Sequence, residues 1–190
     1  THIFARGGHY GALYYGFAPP SGIINFVTKR GDRDVAQLVV SANEHGGADM
    51  AMDLGRRLSD RFGVRVNALA ARRDPGIDDY KGRRTFASIA TDWEPIDDLK
   101  IFFDAEYVGL EASETGVILL PAAVGGVVTL PPMPPNTINY GGDALRIESG
   151  QTNLQLRANW RLSEQSELTF EVGQSDMSRD RLFGRMENYN

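Results

Sequence analysis

Three histidines, His2, His9 and His45, supply the chain's imidazoles, and their spacing puts no two of them on one metal ion. Cysteine is absent, which removes thiolate metal ligands, disulfides and a thiol nucleophile. No Gly-x-Ser-x-Gly elbow, glycine-rich phosphate loop or acid pair at a catalytic spacing is present. The chain therefore offers no catalytic residue and no metal ligand, and enzyme activity is not expected. The side chains best equipped for recognition are three arginine doublets, Arg56-Arg57, Arg72-Arg73 and Arg83-Arg84. A guanidinium fork binds phosphate or carboxylate oxygens. It also snorkels at the edge of an apolar surface. In an extended strand one arginine of each doublet faces each way. Arg30-Gly31-Asp32 matches an integrin-binding tripeptide, but three residues recur by chance.

Composition narrows the partners. Lys plus Arg is 20 and Asp plus Glu is 25 in 190 residues, a net charge of −5. With no basic tract, nucleic acid is excluded as a partner. No apolar run reaches the ~18 residues of a membrane helix. Membrane strands stay open, because lipid-facing and lumen-facing residues average to ordinary hydropathy. No secretory signal is visible, and with Thr1 in first place the front of the protein is expected to be missing.

The elements that carry these residues read as strands. Ala36, Leu38, Val40 and Ala42 alternate with Gln37, Ser41 and Asn43. Met50, Met52 and Leu54 oppose Asp49, Asp53 and Arg57, and Phe62 to Ala70 alternates with Arg65 and Asn67. Thr85 to Trp93 is a strand whose faces do not separate. Leu99 to Tyr107 alternates with Lys100, Asp104 and Glu106; Leu154 to Leu162 alternates with Arg157 and Arg161; Leu168 to Val172 follows. Period-two alternation of this kind predicts seven strands in up-and-down hairpins. The charges on the polar faces are expected to pair across strands or with whatever fills the interior.

Alternation fits a soluble sandwich as well as a membrane barrel. Three features favour the barrel. Segments 35–45, 62–72 and 152–162 have the ~9–11 residues a tilted membrane strand needs, against ~5–6 for an ordinary strand. Turns at 58–61, 95–98 and 163–167 are short, whereas the opposite side carries the longer 73–82 and the very long 109–151, the asymmetry of outer-membrane barrels. Trp93 and Trp160 fall at strand ends, where an interfacial aromatic girdle sits, with Tyr107 as a further member.

Residues 10–30 then supply a family resemblance. Tyr15-Gly16, Pro20, Gly22 and Ile23-Ile24-Asn25-Phe26-Val27-Thr28-Lys29-Arg30 resemble the end of the plug domain of TonB-dependent outer-membrane receptors. In that family the pattern is Tyr-Gly, small residues, Pro-Gly-Gly, then a strand ending Asn-x-Val-Thr-Lys-Arg. Ser21 replaces the first Gly of the pair. The wording is closest to the ferric-siderophore subgroup. Ile23 to Val27 is an apolar run of the kind a strand buried inside a plugged lumen would have.

The resemblance implies an all-β fold: an up-and-down antiparallel transmembrane β-barrel fragment after the end of a plug. Residues 1–32 would be the end of the plug, and 33–190 the first part of a barrel with a long extracellular loop at 109–151. It implies an outer-membrane location in a Gram-negative bacterium and energy-coupled import of a ferric siderophore into the periplasm. The implied partners are the TonB energy-transducing complex, the siderophore, and outer-membrane lipid and lipopolysaccharide. No cofactor is implied, since iron arrives within the cargo. Tyr15, with Tyr14 and Phe17, would offer aromatic ligand contacts, although the same rings could pack plug against barrel. Loop 109–151, with its Pro131–Pro135 run, would fold over the mouth or pack on itself. A related receptor for cobalamin or an oligosaccharide, and a soluble all-β binding or adhesive module, remain the alternatives.

Overall fold

The computed structural model describes residues 2–6, 23–119, 121–130 and 135–186. Tyr14, Tyr15 and Phe17 lie outside the described residues, as do Gly22 and residues 131–134.

Strands β1 (His2–Arg6) and β2 (Ile23–Val27) pair antiparallel, His2 opposite Val27 and Arg6 opposite Ile23. The β-branched run of β2 suits a strand. A second sheet has seven strands: β3 (Val35–Ala42), β4 (Ala48–Ser59), β5 (Phe62–Arg73), β6 (Gly82–Ile96), β7 (Leu99–Ser113), β9 (Arg146–Ser163) and β10 (Ser166–Arg181). Each pairs antiparallel with the next, in the spatial order β10-β9-β7-β6-β5-β4-β3. The expected seven-stranded up-and-down meander is therefore present. Among the described residues no helix is long and apolar enough to cross a membrane.

Register sorts the side chains into two faces. Across the sheet run Ala36, Leu54, Val66, Ile89, Ala105 and Leu154. One position along lies a rung polar from edge to edge: Gln37, Asp53, Asn67, Ser88, Glu106, Asn153 and Ser175. The segment leaving β2 lies against this second face, through Lys29 and Asp53. We call it the inner face. Among the described residues no layer covers the outer face, and Leu38 is 64% exposed and Val40 69%. A single sheet cannot bury both faces, and Ala90 and Ile147 are the only buried apolar side chains among the described residues.

The turns are asymmetric. Asp60-Arg61, Asp97-Asp98 and Glu164-Gln165 close three tight hairpins at one end, while 74–81 and 114–145 connect strands at the other. Arg61 ties the tight end together: Nη1 donates to the Pro95 carbonyl at 3.2 Å and Nη2 meets Asp97 at 2.5 Å. Arg161 does the same for Asp98, at 2.6 Å.

Three expectations need correction. The long connection is 114–145, not 109–151, because β7 continues through Ser113 and β9 begins at Arg146. Backbone pairing persists there although side-chain alternation has stopped, with Leu110 opposite Ser149 and Glu111 opposite Glu148. For the same reason β10 continues past Val172 to Arg181. Arg161 joins a neighbouring turn rather than a partner strand. The long connection is itself anchored. Its β8 (Val117–Ile118) pairs with β11 (Arg185–Met186), and Arg181 bridges to Glu114 at 2.6 Å.

Candidate functional site

The densest set of buried charge lies where the chain leaves β2 and meets the inner face. Arg65 on β5 grips Asp53 on β4 with two prongs, Nε to Oδ1 at 2.5 Å and Nη2 to Oδ2 at 2.8 Å. Both are buried, at 5% and 8% exposure. Lys29 Nζ donates to the same Asp53 at 2.8 Å. One residue further, Arg30 Nη2 donates to Asp104 on β7 at 2.8 Å, and its Nη1 lies 3.5 Å from Asp92 on β6. The Gly31 N–H donates to Asp92 Oδ2 at 3.0 Å. The Arg30 guanidinium also stacks over Phe102, 5.1 Å from the ring centroid, a cation–π contact. Lys29, Arg30 and Arg65 thus balance Asp53, Asp92 and Asp104, as buried charges must be balanced.

Glycines allow this approach. A Cβ on Gly31 would overlap the backbone of Gly63 and Val64, and one on Gly63 would overlap the Gly31 carbonyl. The two backbones touch where any side chain would hold them apart. A Cβ on Gly55 would stand 2.8 Å from the Arg65 side chain, so Gly55 leaves room for the guanidinium to lie flat along β4.

Beside the junction is a cavity of about 760 Å³ between Thr28, Lys29 and the inner wall, lined by Asn67, Arg84, Ser88 and Glu106 among others. Its lining mixes charged side chains with apolar ones such as Val39, Leu69 and Phe86. Among the described residues no group of His, Asp and Glu could hold a metal ion. The arrangement holds the segment after β2 against the inner face through Asp53, Asp92 and Asp104.

Trp93, Trp160 and Tyr107 all lie on the outer face. Trp93 stands between Phe62 and Ile101, and Trp160 between Leu99 and Leu168, both near the tight turns. Tyr107 stands further toward the long connections, and its hydroxyl passes 3.1 Å from where a Gly109 Cβ would be. It lies over a glycine notch formed by Gly109 and its partner Gly150. Of the polar residues predicted inward, Asp53, Arg65 and Asp104 meet at the junction. Arg157 pairs instead with Glu171 at 2.8 Å, Glu106 accepts from Asn153 at 2.8 Å, and Asp49 accepts from Ser41 at 2.6 Å. Asp92 and Phe102 were not singled out in the sequence, since Asp92 sits in the one strand whose faces did not separate. The signal for Lys29 and Arg30 was their position at the polar exit of β2.

No family model matches the chain. Among curated proteins it is 32% identical over 160 residues to the ferrichrome receptor FcuA of Yersinia enterocolitica, covering 81% of this chain and 20% of that protein. Among solved structures it is similar to BauA, the ferric preacinetobactin receptor from Acinetobacter baumannii, with TM-score 0.75 and 21% identity, over 93% of this chain and 26% of that one. It is also similar to the open form of Fiu, the ferric-catecholate import receptor from E. coli K12, with TM-score 0.76 and 18% identity, over 92% and 28%. The chain spans about a fifth of the curated relative's length and about a quarter of the solved receptors'. The resemblance read in residues 10–30 is thereby matched by relationship in sequence over most of the chain and by fold over more of it.

Proposed function

Since this chain is related to TonB-dependent ferric-siderophore receptors and has the fold of part of their barrel, we propose that it serves as the plug-to-barrel segment of such a receptor. The cargo would be a ferric siderophore, drawn into the periplasm with energy from the TonB complex. The observation that carries this reading is the pairing of an inner face gripped by Lys29, Arg30 and Gly31 with an outer face of exposed apolar residues. A soluble module would have to cover that outer face; a lipid bilayer covers it directly. The similar proteins are a ferrichrome receptor, a ferric preacinetobactin receptor and a ferric-catecholate import receptor. Iron enters only as part of the cargo.

Within this reading, residues 1–32 close the plug and the seven strands begin the barrel wall. Trp93 and Trp160 mark the periplasmic interface and Tyr107 the outer one. Tyr15, with Tyr14 and Phe17 beside it, offers aromatic contact to the cargo. Heat-modifiable gel mobility and outer-membrane fractionation of the full-length protein test the barrel. Growth under iron limitation on a panel of ferric siderophores tests the cargo. Growth supported by none of them, but by cobalamin or an oligosaccharide, would move the protein to another branch of the same receptors. Tyr15→Ala is expected to weaken cargo binding and leave membrane insertion intact; unchanged affinity would remove Tyr15 from the site.

A further inference from the structure

The inner face changes character toward the long connections. One rung beyond Asn67, Ser88 and Glu106 it carries Val39, Leu69, Phe86 and Val108, an apolar shelf on an otherwise polar wall. All four line the cavity beside the junction. On the next rung Arg84 stands opposite Ala71, and Arg73 follows two positions along β5, opposite Gly82. The two arginines are therefore diagonal neighbours on one face. Gly82 makes room for Arg73 and Tyr80: a Cβ there would stand 2.8 Å from the Tyr80 ring and 3.1 Å from the Arg73 Cβ.

Nearer the tight turns the inward arginines take carboxylates: Arg65 takes Asp53 and Arg157 takes Glu171. Arg73 and Arg84 are exposed, and among the described residues neither has an ion-pair or hydrogen-bond partner. Asp49 and Asp74 line the same smaller cavity as Arg73 and Tyr80. Yet Asp49 accepts from the Ser41 hydroxyl at 2.6 Å and Asp74 from the Gly76 N–H at 3.0 Å. Two unmatched guanidinium groups above an apolar shelf select a ligand by two properties at once. The forks take anionic oxygens, and the shelf takes the faces of flat apolar rings. The cavity's volume of about 760 Å³ lies within the ~300–1,000 Å³ of small-ligand sites. Ferric chelates differ in just these properties. Three dianionic catecholates leave ferric iron in a trianionic complex with aryl rings outermost, whereas three hydroxamates leave it neutral.

We propose that this stretch of wall selects an anionic aryl chelate of ferric iron over a neutral one, with Arg73 and Arg84 on its charge and Leu69, Phe86 and Val108 against its rings. The proposal rests on the siderophore reading above, which stands or falls separately on outer-membrane fractionation and growth with the siderophore panel. Its own test is equilibrium binding to the full-length protein in mild detergent. One probe is the ferric complex of a tripodal tris(2,3-dihydroxybenzamide), which is anionic; the other is the ferric tris-hydroxamate on the same scaffold, which is neutral. The anionic complex is expected to bind at least roughly tenfold more tightly, the scale of one charged hydrogen bond, and to weaken with added salt. Arg73→Gln/Arg84→Gln is expected to lose about that factor for the anionic complex, and with it the preference and most of the salt dependence. Phe86→Leu is expected to lose a few-fold, the scale of one aromatic contact. The outward variant Arg72→Gln/Arg83→Gln keeps the preference. Heat-modifiable mobility confirms that each variant folds, and Arg84→Gln alone replaces the double variant if that does not. Equal binding of the two complexes, a preference for the neutral one, binding of neither, or anionic binding unmoved by the inward variant overturns the proposal and assigns the arginines to contacts within the protein's own interior.

Discussion

Arg65 reaches diagonally across Gly55 from β5 to Asp53 on β4 in a two-pronged ion pair, and Lys29 joins Asp53 from the segment that leaves β2. The wall of the sheet thereby holds a charge already arranged to receive that segment. Arg65 fixes the carboxylate's orientation, and Lys29 binds the oxygen that Arg65 Nη2 also touches.

Removing one partner should cost far more than removing both. Asp53→Ala leaves Arg65 buried without a counter-charge, a loss of about 3–5 kcal/mol in comparable buried pairs. Replacing the pair together, Asp53→Leu with Arg65→Met, trades charge for packing and is often close to neutral. The measurement is the temperature at which the folded, fast-migrating gel form of the full-length protein is lost. A single variant as stable as the double one would show that the pair contributes little.

The Gly31–Gly63 contact gives a prediction that does not involve charge. Alanine at either position drives a Cβ into backbone, which has no rotamer by which to escape. Overpacking of this type costs about 1–3 kcal/mol, and here the strain falls on the linker between β2 and β3. Gly31→Ala should make the linker more sensitive to limited proteolysis while Gly173→Ala, whose nearest neighbour is the Leu154 carbonyl at 3.3 Å, should not. Identical digestion patterns would mean that the linker does not depend on this close approach.

Much of the sheet could be read from alternation because one face is apolar along most strands and the other carries charged or polar residues such as Asp53, Arg65 and Asp104 among its positions. It failed where that contrast lapses. On β6 the outer face includes Thr85 and Thr91 and the inner face Phe86 and Ala90, so neither face reads as apolar. That strand holds Asp92, which meets both Arg30 and Gly31. The junction was half legible: Asp53, Arg65 and Asp104 stood out as inward charges, and the polar exit after Val27 stood out as a linker. Their meeting depends on distances in sequence of 24 residues for Lys29 and Asp53 and 74 for Arg30 and Asp104, which no local pattern encodes. Strand ends beyond Tyr107 and Val172 escape the pattern because backbone hydrogen bonding continues after the contrast between apolar and polar side chains lapses.

The two tryptophans should report their depth. In lipid vesicles or nanodiscs containing the full-length protein, Trp93 and Trp160 are expected at the tight-turn edge of the apolar band, where indoles bridge apolar and polar layers. Single-tryptophan versions retaining one or the other should be quenched more by a quencher attached near the headgroup than by one near the acyl-chain terminus. Stronger quenching by a water-soluble quencher alone would place them outside the membrane and remove the girdle.

The two faces of β9 give the sharpest contrast. Leu156 lies on the outer face between Phe103 and Val172, whereas Gln155 lies on the inner face between Asp104 and Gly173. Arginine at an outward position near the middle of the bilayer costs about 2–4 kcal/mol, falling toward zero at the interfaces, whereas lumen positions accept polar change. Leu156→Arg should therefore lower the amount of folded protein in the outer membrane sharply, and Gln155→Arg, facing the Asp104 carboxylate, should leave it near normal. Refolding into vesicles with a denaturant titration gives the free-energy difference directly. If the two substitutions destabilise equally, the outer face does not meet lipid and the barrel reading fails; if only Leu156→Arg does, an alternation one residue wide separates lipid from lumen along the whole strand.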